Sequence, residues 1–217
     1  MSASLVLWLE IIGTVAFSIS GAMVGLKKGM DIFGVAILGL TTAVGGGVLR
    51  DLMLGNTPPA MFQDPIYALV ALAVAVFVFL PPIQRLLDKV HGLYDAVMLV
   101  MDSVGLGIFT VVGIQTAYGV YPEPGTVLLI SVGMLTGVGG GVMRDIMAGD
   151  MPYIFVRHFY ASASLLGAVA CIVLWNVTGP AAAMLIGAVL VTVLRLCAAH
   201  YRWSLPKAKF YMDKNRD

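Results

Sequence analysis

The run Gly45-Gly46-Gly47-Val48-Leu49-Arg50-Asp51 returns as Gly139-Gly140-Gly141-Val142-Met143-Arg144-Asp145. Each copy offers a permanent cation, a carboxylate and a stretch of weakened helix within seven residues. Thr42 precedes the first triplet and Thr136 the second, which adds hydroxyl oxygens. Two further acids, Glu10 and Asp102, stand in other apolar runs. Ionised groups at membrane depth are costly and mark pathways or paired sites. Breaking a helix at the triplets frees carbonyls on one side and amides on the other. Carbonyls and threonine hydroxyls replace part of a cation's hydration shell, whereas freed amides and the helix dipole favour a carboxylate. Both readings stand at this point. Glycine triplets also serve close helix packing in membranes. The nearby Arg-Asp pair and the duplication favour a functional break. Adjacent residues on a helix point about 100° apart. We therefore expect each arginine to find its carboxylate on another helix: Asp102 or Asp145 for Arg50, Glu10 or Asp51 for Arg144.

The elements that must hold these groups are membrane helices. Of 217 residues, 59% are hydrophobic and 12% charged, against about 25% charged in soluble domains. A net charge of +1 leaves no basic stripe for nucleic acid. Cys171 and Cys197 lie in apolar segments and show no metal or disulfide spacing. Windows of about 20 apolar residues give seven spans near residues 5–25, 31–54, 65–81, 93–117, 125–148, 158–175 and 180–199. The first contains Glu10, lacks a basic leader and reads as a retained span. Pro81-Pro82 ends the third span and Gly179-Pro180 opens the seventh. The runs are too long and do not alternate, so a β-barrel is not expected.

Lys27, Lys28, Arg85, Lys89, Arg157 and the basic tail fall on one side of the membrane if the N-terminus is outside and the C-terminus cytoplasmic. An offset of 94 pairs Arg50 with Arg144, Gly55 with Gly149 and Pro58 with Pro152. An offset of 92 pairs Glu10 with Asp102, Gly13 with Gly105, Phe17 with Phe109 and Gly21 with Gly113. Spans one to three thus repeat as spans four to six. Three is odd, so the second copy enters the membrane inverted, as in many transport proteins. The expected organisation is all-α: residues 1–90 form the first three-helix repeat, 91–178 the inverted second, 179–200 a seventh transmembrane helix and 201–217 a cytoplasmic tail. The two Arg-Asp pairs should bracket the bilayer centre.

Other polar residues carry structural expectations. Asp31 reads as an N-cap, and Arg195 as a snorkelling residue near the end of span seven. Ser18, Ser20, Thr110, Ser162 and Ser164 are expected to bond their own helix backbone. His91, His158 and His200 show no metal spacing. The basic, aromatic tail is an interface anchor with possible affinity for anionic lipid.

The duplicated GGGxxRD motif, the three-plus-three-plus-one layout and the length resemble the prokaryotic trimeric intracellular cation (TRIC) channel family, whose bacterial members are also labelled putative glycine transporters. The resemblance runs over residues 5–200 and includes Gly55-Asn56-Thr57-Pro58; the second copy has Gly149-Asp150-Met151-Pro152 instead. It implies a homotrimer in the bacterial inner membrane, with one potassium-permeable pore per protomer. Spans two and five would kink at Gly45, Gly46, Gly47, Gly139, Gly140 and Gly141. Arg50, Asp51, Arg144 and Asp145 would form or support the polar constriction, with a transient potassium ion as the only cofactor-like species. Secondary transport of glycine or another small zwitterion is the competing reading, and a passive helical scaffold the third. No nucleophile-base set, phosphate loop or metal motif points to an enzyme.

Overall fold

The computed structural model describes residues 3–90, 92–156 and 159–203, which form helices and connecting turns. His91, Arg157, His158 and the tail lysines expected to anchor the protein lie outside the described residues. The helices are α1 (Ala3–Lys27), α2 (Ile32–Leu54), α3 (Ala60–Gln63), α4 (Ile66–Phe79), α5 (Pro81–Lys89), α6 (Leu93–Val120), α7 (Thr126–Met147), α8 (Tyr153–Val156), α9 (Tyr160–Thr178) and α10 (Pro180–His200). Six of them are long and apolar enough to cross a membrane, and α4 joined to the start of α5 makes a seventh span bent by 67°. The bend has a local cause. Pro81 and Pro82 carry no N–H and force the preceding Leu80 into an extended conformation, while suiting the first turn of α5. Helix α5 then alternates apolar Ile83, Leu86 and Leu87 with polar Gln84, Arg85 and Lys89, the pattern of a helix lying along an interface.

Helices α1, α2, α6 and α7 form the centre of the bundle. Helix α4 covers α1 and α2, and α9 covers α7 and α6 at the matching place of the other half. Helix α10 has no counterpart and packs on α9 and α6. The faces turned away from this centre carry exposed Leu69, Phe77, Val173, Val177 and Val189. Water does not tolerate such a surface and acyl chains do.

The ends of α2 and α7 repeat each other closely. Gly55 and Gly149 both adopt positive φ (73° and 71°). There the Asn56 N–H reaches the Asp51 carbonyl at 2.8 Å and the Asp150 N–H reaches the Asp145 carbonyl at 2.9 Å. These left-handed caps require a residue without a β-carbon penalty. Asp31 caps α2 by accepting from the Gly34 N–H at 2.8 Å, as its position predicts.

The helix break expected at the triplets is corrected here. Helices α2 and α7 run without interruption through both glycine triplets. The triplets serve contact between helices. A β-carbon on Gly46 would collide with the Thr136 carbonyl, and one on Gly140 with the Thr42 carbonyl. Gly45 faces Met143 while Gly139 faces Leu49, so the two helices cross antiparallel at this point. Each glycine costs a helix interior about 1 kcal/mol relative to alanine. Close backbone approach across the crossing offsets that cost, so the hydrogen-bonded ladder survives.

Candidate functional site

Two charge clusters flank the α2–α7 crossing. Arg50 and Arg144 each lie four residues beyond the crossing glycine on their own helix, and the helices run in opposite directions. The side chains therefore emerge on opposite sides of it.

The first cluster joins α1, α2 and α4. Arg50 Nε donates to Asp51 Oδ1 at 2.8 Å, and Nη1 stands 4.0 Å from Glu10 Oε1. The Tyr67 hydroxyl donates to Glu10 Oε2 at 2.5 Å. Asp51 Oδ2 accepts from the Ala60 N–H at 2.8 Å, at the start of the short helix α3. Glu10, Gly47, Arg50, Tyr67 and Phe109 line a cleft of about 50 Å³.

The second cluster joins α1, α6, α7, α9 and α10. Arg144 is fully buried. Its Nη1 donates to Asp102 Oδ1 at 2.7 Å and to the Ser20 hydroxyl, and its Nε donates to Asp145 Oδ1 at 2.8 Å. Asp145 Oδ2 accepts from the Tyr153 N–H at 2.8 Å, at the start of the short helix α8. Arg195 Nη2 stands 3.8 Å from Asp102 Oδ2, and its guanidinium lies 4.7 Å from the Tyr160 ring centre. Asp102, Arg195, Tyr153, Lys27 and Lys28 line a vestibule of about 990 Å³.

The clusters obey the repeat but correct the expected pairings. Each arginine bonds the aspartate next to it, because the long guanidinium arm swings its Nε back over the neighbouring carboxylate although the two β-carbons diverge. Its other carboxylate comes from its own half of the chain: Glu10 for Arg50 and Asp102 for Arg144. The expected cross-pairings of Arg50 with Asp102 or Asp145, and of Arg144 with Glu10 or Asp51, are not what forms. Arg195 does not snorkel; it is buried and turned toward Asp102. Ser18 donates to the Ala71 carbonyl of α4 and Ser20 meets Arg144, so both bond across helices where own-backbone bonding was expected. Thr110 bonds the Leu106 carbonyl of its own helix and also meets Ser164.

Between the clusters the bundle is packed. Thr42 and Thr136 are fully buried and donate to their own helix carbonyls, Leu38 and Val132, at 2.6 Å. Phe17 packs on Gly105 and Phe109 on Gly13, a symmetric exchange that brings the two rings to 5.3 Å. Both rings are buried. In this conformation Gly47 lines the first cleft, while Gly46 and Gly140 hold the crossing together.

Tyr67 and Tyr160 escaped the sequence reading. They stand 93 residues apart on α4 and α9, close to the offsets of 92 and 94 that align the neighbouring helices; Tyr67 bonds Glu10, and Tyr160 packs its ring on Arg195. Extending the alignment into the third span would have found them.

The geometry has close counterparts. A family model described as glycine transporter matches residues 7–81 and 99–176. The UPF0126 inner membrane protein YadS of Escherichia coli K12 is 35% identical over 97% of this chain and 99% of its own. A UPF0126 membrane protein of Deinococcus radiodurans is 38% identical over 87% of this chain and 85% of its own. Among solved structures, a TRIC trimeric intracellular cation channel orthologue from Rhodobacter sphaeroides superposes with a TM-score of 0.81 at 35% identity, covering 91% of this chain and 98% of that one. Another TRIC cation channel, solved to explain conductance, gives 0.82 at 34% identity over 98% and 100% of the two chains. This chain belongs to the prokaryotic TRIC family. Its sequence model carries one description of these relatives and the solved structures another, on a single all-helical membrane fold.

Proposed function

We propose that this protein is a potassium-permeable cation channel with one pore in each protomer of a homotrimer, set in the bacterial inner membrane. The observation that carries the reading is the pair of polar clefts entering one protomer from opposite sides of the α2–α7 crossing, each lined by an arginine that faces a carboxylate, Arg50 near Glu10 and Arg195 near Asp102. An unmatched guanidinium near a narrow path would repel cations. Here Glu10 and Asp51 outnumber Arg50, so the first cleft carries a formal surplus of negative charge. That favours a cation over an anion. The trimer and the cation follow the relatives, whose structures are described as trimeric cation channels. The N-terminus lies outside and Lys27-Lys28 at the cytoplasmic face, following the basic loops.

In this conformation Phe17 and Phe109 separate the clefts, so conduction requires their displacement.

Purified protein in planar bilayers tests the reading. Unitary current steps in potassium chloride, with a reversal potential near the potassium equilibrium value under a salt gradient, are expected. Electrical silence together with saturable, gradient-driven glycine uptake in vesicles would overturn the channel in favour of the transporter.

A further inference from the structure

Helix α10 stands outside the repeat, yet it sends one charged group into the second cluster. Arg195 is 3% exposed and sits at the floor of the vestibule. Its Nη2 lies 3.8 Å from Asp102 Oδ2. That carboxylate oxygen is fully buried and makes no direct hydrogen bond, so Arg195 acts on it as a charge across a short gap. The Tyr160 ring, 4.7 Å from the guanidinium, holds the cation in place from its other face.

The first cluster lacks such a group. Glu10 occupies the place of Asp102, Tyr67 that of Tyr160 and Arg50 that of Arg144, but no second arginine approaches among the described residues. Glu10 takes the Tyr67 hydroxyl instead. Counting formal charges, the first cluster holds Glu10, Asp51 and Arg50 and is negative by one; the second holds Asp102, Asp145, Arg144 and Arg195 and is neutral. The vestibule over the second cluster adds Lys27, Lys28 and Arg202 against Asp95 and Asp150, and its lining is positive by one. A nearly symmetric pathway thus has one acidic mouth and one basic mouth.

We propose that Arg195 is a conduction-determining residue that deepens the electrical asymmetry of this pathway, so that cations enter more readily from the Glu10 side than from the Lys27–Lys28 side. The inference rests on the channel reading. A negative mouth concentrates cations locally, and the effect is strongest when the screening length exceeds the width of the mouth. Single-channel current should therefore rectify at low salt and become nearly linear at about 1 M, where the screening length falls to about 3 Å.

The test is single-channel recording of the full chain and two variants in 0.1 M and 1 M potassium chloride, scored as the ratio of currents at opposite voltages. Arg195→Gln takes the second mouth from positive to neutral: rectification at low salt is weakened and conductance rises roughly two-fold, the rise shrinking at 1 M as screening removes it. Glu10→Gln leaves the first mouth neutral and the second positive: rectification is again weakened, but conductance falls. Arg195→Lys keeps the charge and keeps the rectification. Wild-type currents that rectify equally in wild type and Arg195→Gln overturn the proposal and leave the channel standing. If Arg195→Gln does not fold, Glu10→Gln decides alone: unchanged rectification overturns the proposal, and weakened rectification with lowered conductance supports it. Silence in every protein, with glycine uptake, removes the channel reading and this inference with it.

Discussion

Asp102 answers to two arginines, Arg144 through a 2.7 Å bond and Arg195 across 3.8 Å. It is itself 1% exposed. Replacing one member of a buried charge set leaves the others uncompensated, which costs about 3–5 kcal/mol. Asp102→Asn should therefore lower the thermal unfolding temperature in detergent far more than Glu10→Gln does. Glu10 is partly solvated and its partner Arg50 stands at 4.0 Å, so its loss is expected to cost about 1 kcal/mol or less. Equal shifts for the two substitutions would contradict the charge assignment. Asp51 and Asp145 have a second duty. Each spends one oxygen on its arginine and the other on the first N–H of a short helix, α3 or α8. The RD pair is thus a joint that ties the end of a spanning helix to the connection that follows it.

At the level of helices, the glycine triplets divide by function. Gly46 and Gly140 sit where two backbones touch, and neither tolerates a β-carbon. Gly47 has open space, with the Arg50 Nη2 at 3.8 Å as its nearest neighbour. Gly46→Ala and Gly140→Ala should destabilise the protein by about 1–3 kcal/mol, the usual cost of overpacking. Gly47→Ala should be neutral or stabilise by about 1 kcal/mol through helix propensity. Denaturation in detergent distinguishes these outcomes. Equal harm from all three would mean that the triplet works by bending rather than by packing. The α4–α5 bend has the opposite origin: prolines, not glycines, impose it, and the amphipathic α5 that follows is what lets the chain turn along the interface.

For the molecule as a whole, the basic loops set the proposed sidedness. The α2–α3 connection and the Lys27–Lys28 turn lie at opposite ends of α2. In a background with Cys171 and Cys197 replaced, a single cysteine introduced as Asn56→Cys should react with a membrane-impermeant thiol reagent added outside intact cells. One introduced as Lys28→Cys should react only after permeabilisation. The reverse pattern would invert the proposed orientation. Assembly belongs to this level too: cross-linking in membranes should stop at three copies, and a monomer as the sole species would remove the homotrimer.

Much of this protein is written in patterns that a one-dimensional reading captures. Long apolar runs demand spanning helices because the bilayer core offers no hydrogen-bond partner to the backbone. A repeat of three spans must invert because three is odd. Glu10 and Asp102, or Gly21 and Gly113, could be paired from their spacing alone, since that spacing is inherited by both halves. What the line of residues could not decide was which groups meet. The partner of Arg144 depends on the rotation of α6 and α7 about their axes, and Arg195 enters the cluster only because α10 packs on α6. A glycine triplet likewise reads equally as a fracture or as a contact surface until the opposing helix is in view. Here the carbonyls of Thr42 and Thr136 press against Gly140 and Gly46, and that close approach, a property of two segments together, is what keeps both helices whole.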